Sequence, residues 1–400
     1  MLVEDTGQSM EALFFHFAAP RSSHRRVINS PAFAARRPES GSALPEPSGS
    51  GKEAGNRLHR ISHAAIRDLF VIGALLSVWS FPCVSQAQTG MDRFSRASRI
   101  IMGTSMEITV SHPEAKKAEE AMEAAFQEVE KVNFLMSHYR PESEVSRISR
   151  NAGTKEVVVS VETLEVIERA LFFSRLSGGA FDVTIGPVFR LWDFRAAKIP
   201  DDETLRENLK RVDYRKLRVD SARSSVLLEK PGMELDLGAI AKGYAVDRAC
   251  EALQRKGMEN FLVNAGGDLK AHGARETGVP WVVGVRHPRG PSDFLAKIRP
   301  RNAAVATSGD YEKFFIKEGE RYHHILNPLN GKPARKCQSV TVMTTSGMDA
   351  DALATAVFVL GPAKGFQLLE KIPNSHGIVV NARGNVLVSP SWPEGVLIPP

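Results

Sequence analysis

The sequence predicts an α+β fold in a single mature domain, and three observations lead there. Strand-like and helix-like segments interleave from about Arg99 onward without the strict strand–helix–strand alternation of a doubly wound sheet. The composition, 42% hydrophobic and 24% charged over 400 residues, is that of an ordinary globular chain with enough apolar surface for a large core. Beyond residue 98 there is no linker and no fixed-period repeat to divide the chain.

The elements follow in order. IIMGTSMEITV reads as one strand interrupted by Gly103 and Thr104. In KKAEEAMEAAFQEVEKVNFLMSHY, Ala118, Met122, Ala125, Val129, Val132 and Met136 fall at alternating spacings of four and three, which defines one helical face. A second helix follows Ser160, with Leu164, Ile167, Leu171 and Ser174 on one stripe and Gly178-Gly179 as its stop. A third is expected from Ala239 to Lys256, ended by Gly257. Further strands are expected at VVVSV, SVLLEK, NFLVNA, PWVVGV, AAVATS, SVTVMT and GIVVNA.

Residues 1–60, rich in Ser, Pro, Gly and Arg, have little apolar periodicity and are expected to be disordered. The apolar run Leu69 to Phe81 follows Arg60 and Arg67 and precedes the small residues Ser85-Gln86-Ala87. It is short for a membrane span but suits the apolar region of an export signal, so residues 61–90 are expected to be a signal peptide or an anchor. Cys83 follows Phe-Pro rather than the small residues that precede a lipidated cysteine. Of the other cysteines, Cys250 reads as a small buried hydrophobe in a helix, and with Cys337 no CxxC pair or zinc spacing exists. The formal charge of +6 is spread without a dense basic run, so a nucleic-acid partner is not expected.

P-loop, GxGxxG, HExxH and GxSxG signatures are absent. Five other clusters can carry chemistry. In GMDADALATAVFVLG, Asp351 and Thr355 are four apart and share a helix face, a carboxylate and a hydroxyl that suit a hard cation. Equally, Asp349 or Asp351 could cap the helix while Thr355 bonds back to a carbonyl. In ELDLGAIAKGYAVDRA a strand ending in Asp236 turns through Gly238 into a helix, and Lys242 stands one turn in, facing an anion or solvent. Gly266 and Gly267 in FLVNAGGDLKAHG permit close approach of a ligand or simply a tight turn. Phe181, Trp192 and Phe194 could stack on an aromatic ligand, with Asp182 accepting a hydrogen bond from it, or fill the core. In YHHILNPLNGKPA, Asn327-Pro328 and Asn330-Gly331 make turns, and one of His323 and His324 could move a proton or be structural.

Taken in order, MGTSMEITV, GAFDVTIGPV, LDLGAIAKGYAVD, NAGGDLKAHG, ATSGDYEKFF, HHILNPLNGKPA and DADALATAVFVLG resemble the ApbE family of flavin transferases, over residues 99 to 395. The resemblance implies a two-lobed single domain at residues 91–400, with mixed β-sheets flanked by helices and a flavin site between the lobes. It implies an exported enzyme that uses FAD as substrate, moves FMN to a Thr or Ser hydroxyl of an acceptor protein and releases AMP. Mg²⁺ would be held by the Ala239 carbonyl, Asp351 and Thr355. FAD would contact Met102, Tyr139, Ala180, Phe181, Asp182, Asp236, Lys242 and Leu326, with Gly266 and Gly267 close by, while His324 or Asp236 would move the proton. The family pattern has Asp where Asn327 stands and Thr where Asn330 stands. Acceptors would be exported or membrane redox subunits met on the periplasmic side of the inner membrane. Hydrolysis of FAD to FMN and AMP, and flavin binding without turnover, are the two alternatives.

Overall fold

The computed structural model describes residues 2–3, 94–275, 278–290, 294–390 and 392–398. The chain divides into two compact units, residues 11–86 and residues 1–10 with 87–400, and the described residues belong to the second. The expectations for residues 1–60 and 61–90 therefore lie outside the described residues, Leu2 and Val3 apart.

The second unit is built on an eight-stranded sheet whose spatial order follows the chain: β1 (Phe94–Ile101), β2 (Thr104–Ser111), β3 (Phe261–Ala265), β4 (Asp268–His272), β5 (Ala303–Gly309), β6 (Cys337–Thr344), β7 (His376–Asn381) and β8 (Val386–Val388). Every ladder is antiparallel among the described residues, because each strand returns beside its predecessor. IIMGTSMEITV is accordingly two strands rather than one interrupted strand. Ile101 pairs with Thr104, so Met102 and Gly103 form a two-residue hairpin with positive φ at both positions, 54° and 72°. Gly266 and Gly267 form a second such hairpin, with φ of 60° and 106°, closed by the pair Ala265 and Asp268.

Alternation along the strands assigns the two faces. Met106, Ile108, Val263, Val340 and Val342 face a core shared with the helices Ala115–Met136, Val161–Leu176, Ala241–Arg255 and Gly347–Leu360. Leu262, Leu269, Val305, Met343 and Ile378 face the other way. They pack on a small sheet in which Val283–Arg286 pairs with Leu2–Val3 and Phe294–Ile298, and the latter with Leu397–Ile398. Helices, large sheet and small sheet thus form three layers, an α+β architecture.

The helices obey their sequence signals. All six residues read as the face of the first helix are buried, and Ser160 caps the Val161–Leu176 helix by accepting from the Thr163 N–H at 3.3 Å. The Gly347–Leu360 helix is buried on nearly every side, which suits an element apolar all round. Among the described residues no helix is long and apolar enough to cross a membrane.

Candidate functional site

Two helices, Ala241–Arg255 and Gly347–Leu360, cross at a pair of glycines. A Cβ on Gly243 would stand 2.0 Å from the Gly347 carbonyl oxygen, and one on Gly347 would stand 2.5 Å from that of Gly243. Only glycine lets the backbones come this close. The closeness has a chemical result. The Gly243 N–H, one of the first-turn donors that the Ala241–Arg255 helix leaves without an acceptor of its own, points to Asp351 Oδ2 at 3.2 Å. The Ala239 carbonyl lies ahead of the first residue of the helix, outside its ladder.

Asp247, one turn further along the same helix, holds the crossing. Its carboxylate accepts from the Gly347 N–H (2.9 Å), the Met348 N–H (3.0 Å) and the Ser346 hydroxyl (2.8 Å), occupying donors that a helix N-terminus otherwise leaves open. Ser346 in turn caps the helix at the Asp349 N–H. The question of which aspartate caps this helix is settled: neither Asp349 nor Asp351 does. Asp349 instead receives a two-pronged bond from Arg169, at 2.7 and 2.5 Å. Thr355, a turn beyond Asp351, has its hydroxyl 3.2 Å from that of Ser308 on β5.

Lys242 does not point outward as a solvated cation. It pairs with Asp268 and lies 3.6 Å from Asp351 Oδ1. Asp268 and Asp351 are 3% and 4% exposed. The alternation of β4 explains the pairing: Leu269 and Ala271 enter the core behind the sheet, so Asp268 and Lys270 face the helix and meet Lys242 and Asp247. Burial and the neighbouring Asp268 push the Asp351 carboxyl up to about 7 despite Lys242 and the Gly243 N–H. Burial works against the Lys242 cation, but the two aspartates outweigh it and hold the ammonium charged.

Other candidate residues are Asp236, Tyr139 and His324. Asp236 Oδ1 accepts from the Gly238 N–H at 2.8 Å and lies 3.4 Å from His138 Nδ1. Burial opposes its charge, yet His138, the Gly238 N–H and Lys313 together hold the carboxyl below its usual range. Tyr139 is exposed and has its ring 3.9 Å from that of His138. His324 is pushed down to about 3 by burial and by the positive field of Lys313, His323 and Lys242, so its ring is neutral. Its Nδ1 is buried without a hydrogen-bond partner among the described residues. His323 is the structural one of the pair. Its Nε2–H donates to the Ala334 carbonyl at 2.8 Å and its Nδ1 accepts from the Ile325 N–H.

The hairpin Gly266-Gly267 is a tight turn pressed on its neighbour: a Cβ on Gly266 would meet Thr104 Oγ1 at 2.0 Å. Because β2 pairs with β3, the Met102-Gly103 and Gly266-Gly267 tips lie at one end of the sheet, and Ser308 near the end of β5 reaches the same end.

Packing decides between the two readings of the aromatic rings. Phe181 is buried edge-on against Phe173, beside the buried Ala180, and Trp192 stacks on Phe194 while its Nε1–H donates to the Gly331 carbonyl at 3.0 Å. These rings fill the core rather than offering a stacking face. The Asp182 carboxylate ties its loop to a later turn, Oδ1 accepting from the N–H and hydroxyl of Thr184 and Oδ2 from the N–H of Tyr214. Leu326 is buried beside Trp192, and Asn327 and Asn330 hold the turn through bonds from the Leu329 and Lys332 N–H groups. No role had been assigned to Asp247, Asp268, Ser308 or Lys313. The signal for Asp268 was available in GDLKAH, where a polar residue at every second position after a hairpin marks one strand face.

Among the described residues no three of His, Cys, Asp and Glu cluster as a metal site. Mg²⁺ does not require such a cluster, since it takes one or two carboxylates, other oxygens and water. A buried carboxylate and a hydroxyl pair fit that donor set, with the Ala239 carbonyl ahead of the helix as a further oxygen. A groove of about 420 Å³ between Ala115–Met136 and Ala241–Arg255, lined by Gln127, Glu128, Lys131 and Arg255 among others, contains none of these residues.

Oxygen donors for a hard cation beside an ammonium group, at one end of an antiparallel sheet, make a site of the class that handles phosphoryl groups. Residues 102–379 match the family model described as ApbE family. The FAD:protein FMN transferase of Treponema pallidum is 36% identical over 305 residues, covering 72% of this chain and 84% of that protein. The solved ApbE protein of Thermotoga maritima superposes with a TM-score of 0.69 at 35% identity, covering 74% of this chain and 97% of that one. The flavin transferase ApbE of Vibrio cholerae gives 0.68 at 32% identity, covering 75% and 98%. The chain belongs to the ApbE family.

Proposed function

We propose that this protein transfers FMN from FAD to a Thr or Ser hydroxyl of an acceptor protein, with Mg²⁺ bound by Asp351, Thr355 and the Ala239 carbonyl. The observation that carries the reading is the buried Asp351 carboxylate, aimed by the Gly243 N–H at a helix crossing that admits only glycine, with Thr355 one turn away. The names of the Treponema and Vibrio relatives, both FAD:protein FMN transferases, support the same chemistry.

The acceptor oxygen forms a bond to the FMN phosphorus as the bond from that phosphorus to the AMP phosphate breaks, and AMP leaves. Bound Mg²⁺ would supply charge stabilisation at the phosphoryl oxygens. Lys242 adds a fixed cation for the same oxygens. The hydroxyl proton goes to His324, whose Nδ1 is buried and unspent. Asp236 is the weaker candidate, because its Oδ1 already accepts from the Gly238 N–H. Burial is the larger cause of the low basicity of His324; an anionic pyrophosphate near Lys242 would offset only the lesser one, the positive field of Lys313, His323 and Lys242. Tyr139, Met102 and the hairpin tips form the rim against which the flavin rests.

The apolar run Leu69 to Phe81 supports export, and acceptors would then be redox subunits on the outer side of the inner membrane, each carrying a Thr or Ser flavinylation segment. Incubation of the full chain with FAD, Mg²⁺ and such a subunit should give a fluorescent flavin band on a denaturing gel. AMP released at one rate with or without acceptor, and no such band, identifies a hydrolase instead. Asp351→Asn should fold yet lose at least ~100-fold in AMP release, in line with loss of a metal ligand; full activity in that variant removes the metal assignment.

A further inference from the structure

We infer that Asp268 is a positioning residue that keeps Lys242 from occupying the cation's place on Asp351. The inference rests on the proposed metal reading and concerns a residue outside the three ligands. Lys242 has two carboxylates within reach, paired with Asp268 and 3.6 Å from Asp351 Oδ1. An ammonium and a divalent cation compete for the same carboxylate oxygens. A lysine with Asp351 as its sole partner would close onto it and act as a built-in inhibitor of metal binding.

Asp268 prevents this because it cannot move. It is the closing residue of the Gly266-Gly267 hairpin, fixed by its pairing with Ala265, and its side chain is buried on the helix-facing side of β4. Lys242 is on the first turn of its helix, with its backbone fixed by the glycine crossing next door. The ammonium is therefore drawn to one side, Asp351 Oδ2 stays with the Gly243 N–H, and Oδ1 keeps Lys242 only at 3.6 Å, an ion-pair distance beyond hydrogen-bond range. When a cation binds, Lys242 has a waiting counter-ion in Asp268 and is not left unpaired.

Binding of Mn²⁺ alone to the full chain, followed by its paramagnetic resonance signal, tests this without reference to turnover. Asp268→Asn should raise the apparent Kd at least ~10-fold, the usual size of an outer-shell effect on metal affinity. Lys242→Met should bind the ion at least as tightly as the native protein. The double variant Asp268→Asn/Lys242→Met should recover native affinity to within roughly threefold, the signature of two coupled residues. Removing both charges together also guards the fold, since a buried pair replaced as a whole is well tolerated. Native affinity in Asp268→Asn, or a double variant as weak as Asp268→Asn, overturns the inference; the latter would make Asp268 itself a ligand. Failure of the metal reading looks different: Asp351→Asn would then bind Mn²⁺ as the native protein does.

Discussion

Replacing Gly243 by alanine sets two effects of opposite sign against each other. Helix propensity favours alanine by up to about 1 kcal/mol. Packing opposes it, because the new methyl would stand 2.0 Å from the Gly347 carbonyl oxygen, 2.5 Å from its carbon and 2.9 Å from Asp351 Cβ. Two of these atoms are backbone, so no rotamer change relieves them, and the helices must part by about 1.4 Å to bring the 2.0 Å approach to ordinary contact. Overpacking of this kind costs about 1–3 kcal/mol. The Gly243 N–H to Asp351 bond, already 3.2 Å, passes beyond hydrogen-bond range, and a bond to a charged group contributes about 1.5–3 kcal/mol. The sum is a net loss of about 1.5–5 kcal/mol, or roughly 2–8 °C in Tm for a domain of this size. AMP release should fall by at least ~10-fold, since displacements near 1 Å at a reacting centre cost up to 10²-fold. Thermal unfolding of the full chain by circular dichroism, with the activity assay beside it, gives both readouts. A Tm unchanged or raised by a degree would mean that propensity wins and that the glycine crossing does not hold the site.

Arg169→Ala leaves Asp349 buried without its two-pronged partner and should cost about 2–4 kcal/mol in urea unfolding, reduced from the fully buried case because Arg169 is part-exposed. Turnover per folded molecule should hardly change, and a large kcat loss would place Asp349 in the site after all. Asp247→Asn should cost about 1–3 kcal/mol and speed hydrogen exchange at the Gly347 and Met348 amides, with native exchange there counting against its capping role. For pH, burial pushes His323 from 6.5 down to about 4, so unfolding takes up a proton in that interval. The stability this represents is present above pH 6.5 and disappears as pH falls toward 4, about 3 kcal/mol in all. The difference between native and His323→Gln urea midpoints across that window measures it, and parallel curves would sink the assignment.

The sequence by itself determined the α+β class, because apolar periods of 3.6 and 2 follow from backbone geometry alone. The buried stripe of Ala115–Met136 and the Ser160 cap appear where the pattern puts them. The pairing of Asp351 with Thr355 was equally readable, since a helix places positions four apart on one face. What faces that pair was not readable. Asp247 meets Gly347 across 100 residues and Asp268 meets Lys242 across 26, and no local period encodes such contacts. The same holds for Asp349, whose partner Arg169 lies far back in the chain, and for Phe181 and Trp192, whose burial depends on what packs over them. Whether an aromatic ring faces a ligand or the core is decided by a neighbour supplied by another segment. Gly243 and Gly347 show the division most plainly. As letters they are a helix residue of low propensity and a helix start; in the folded chain their missing side chains let two backbones touch, and that contact aims the carboxylate.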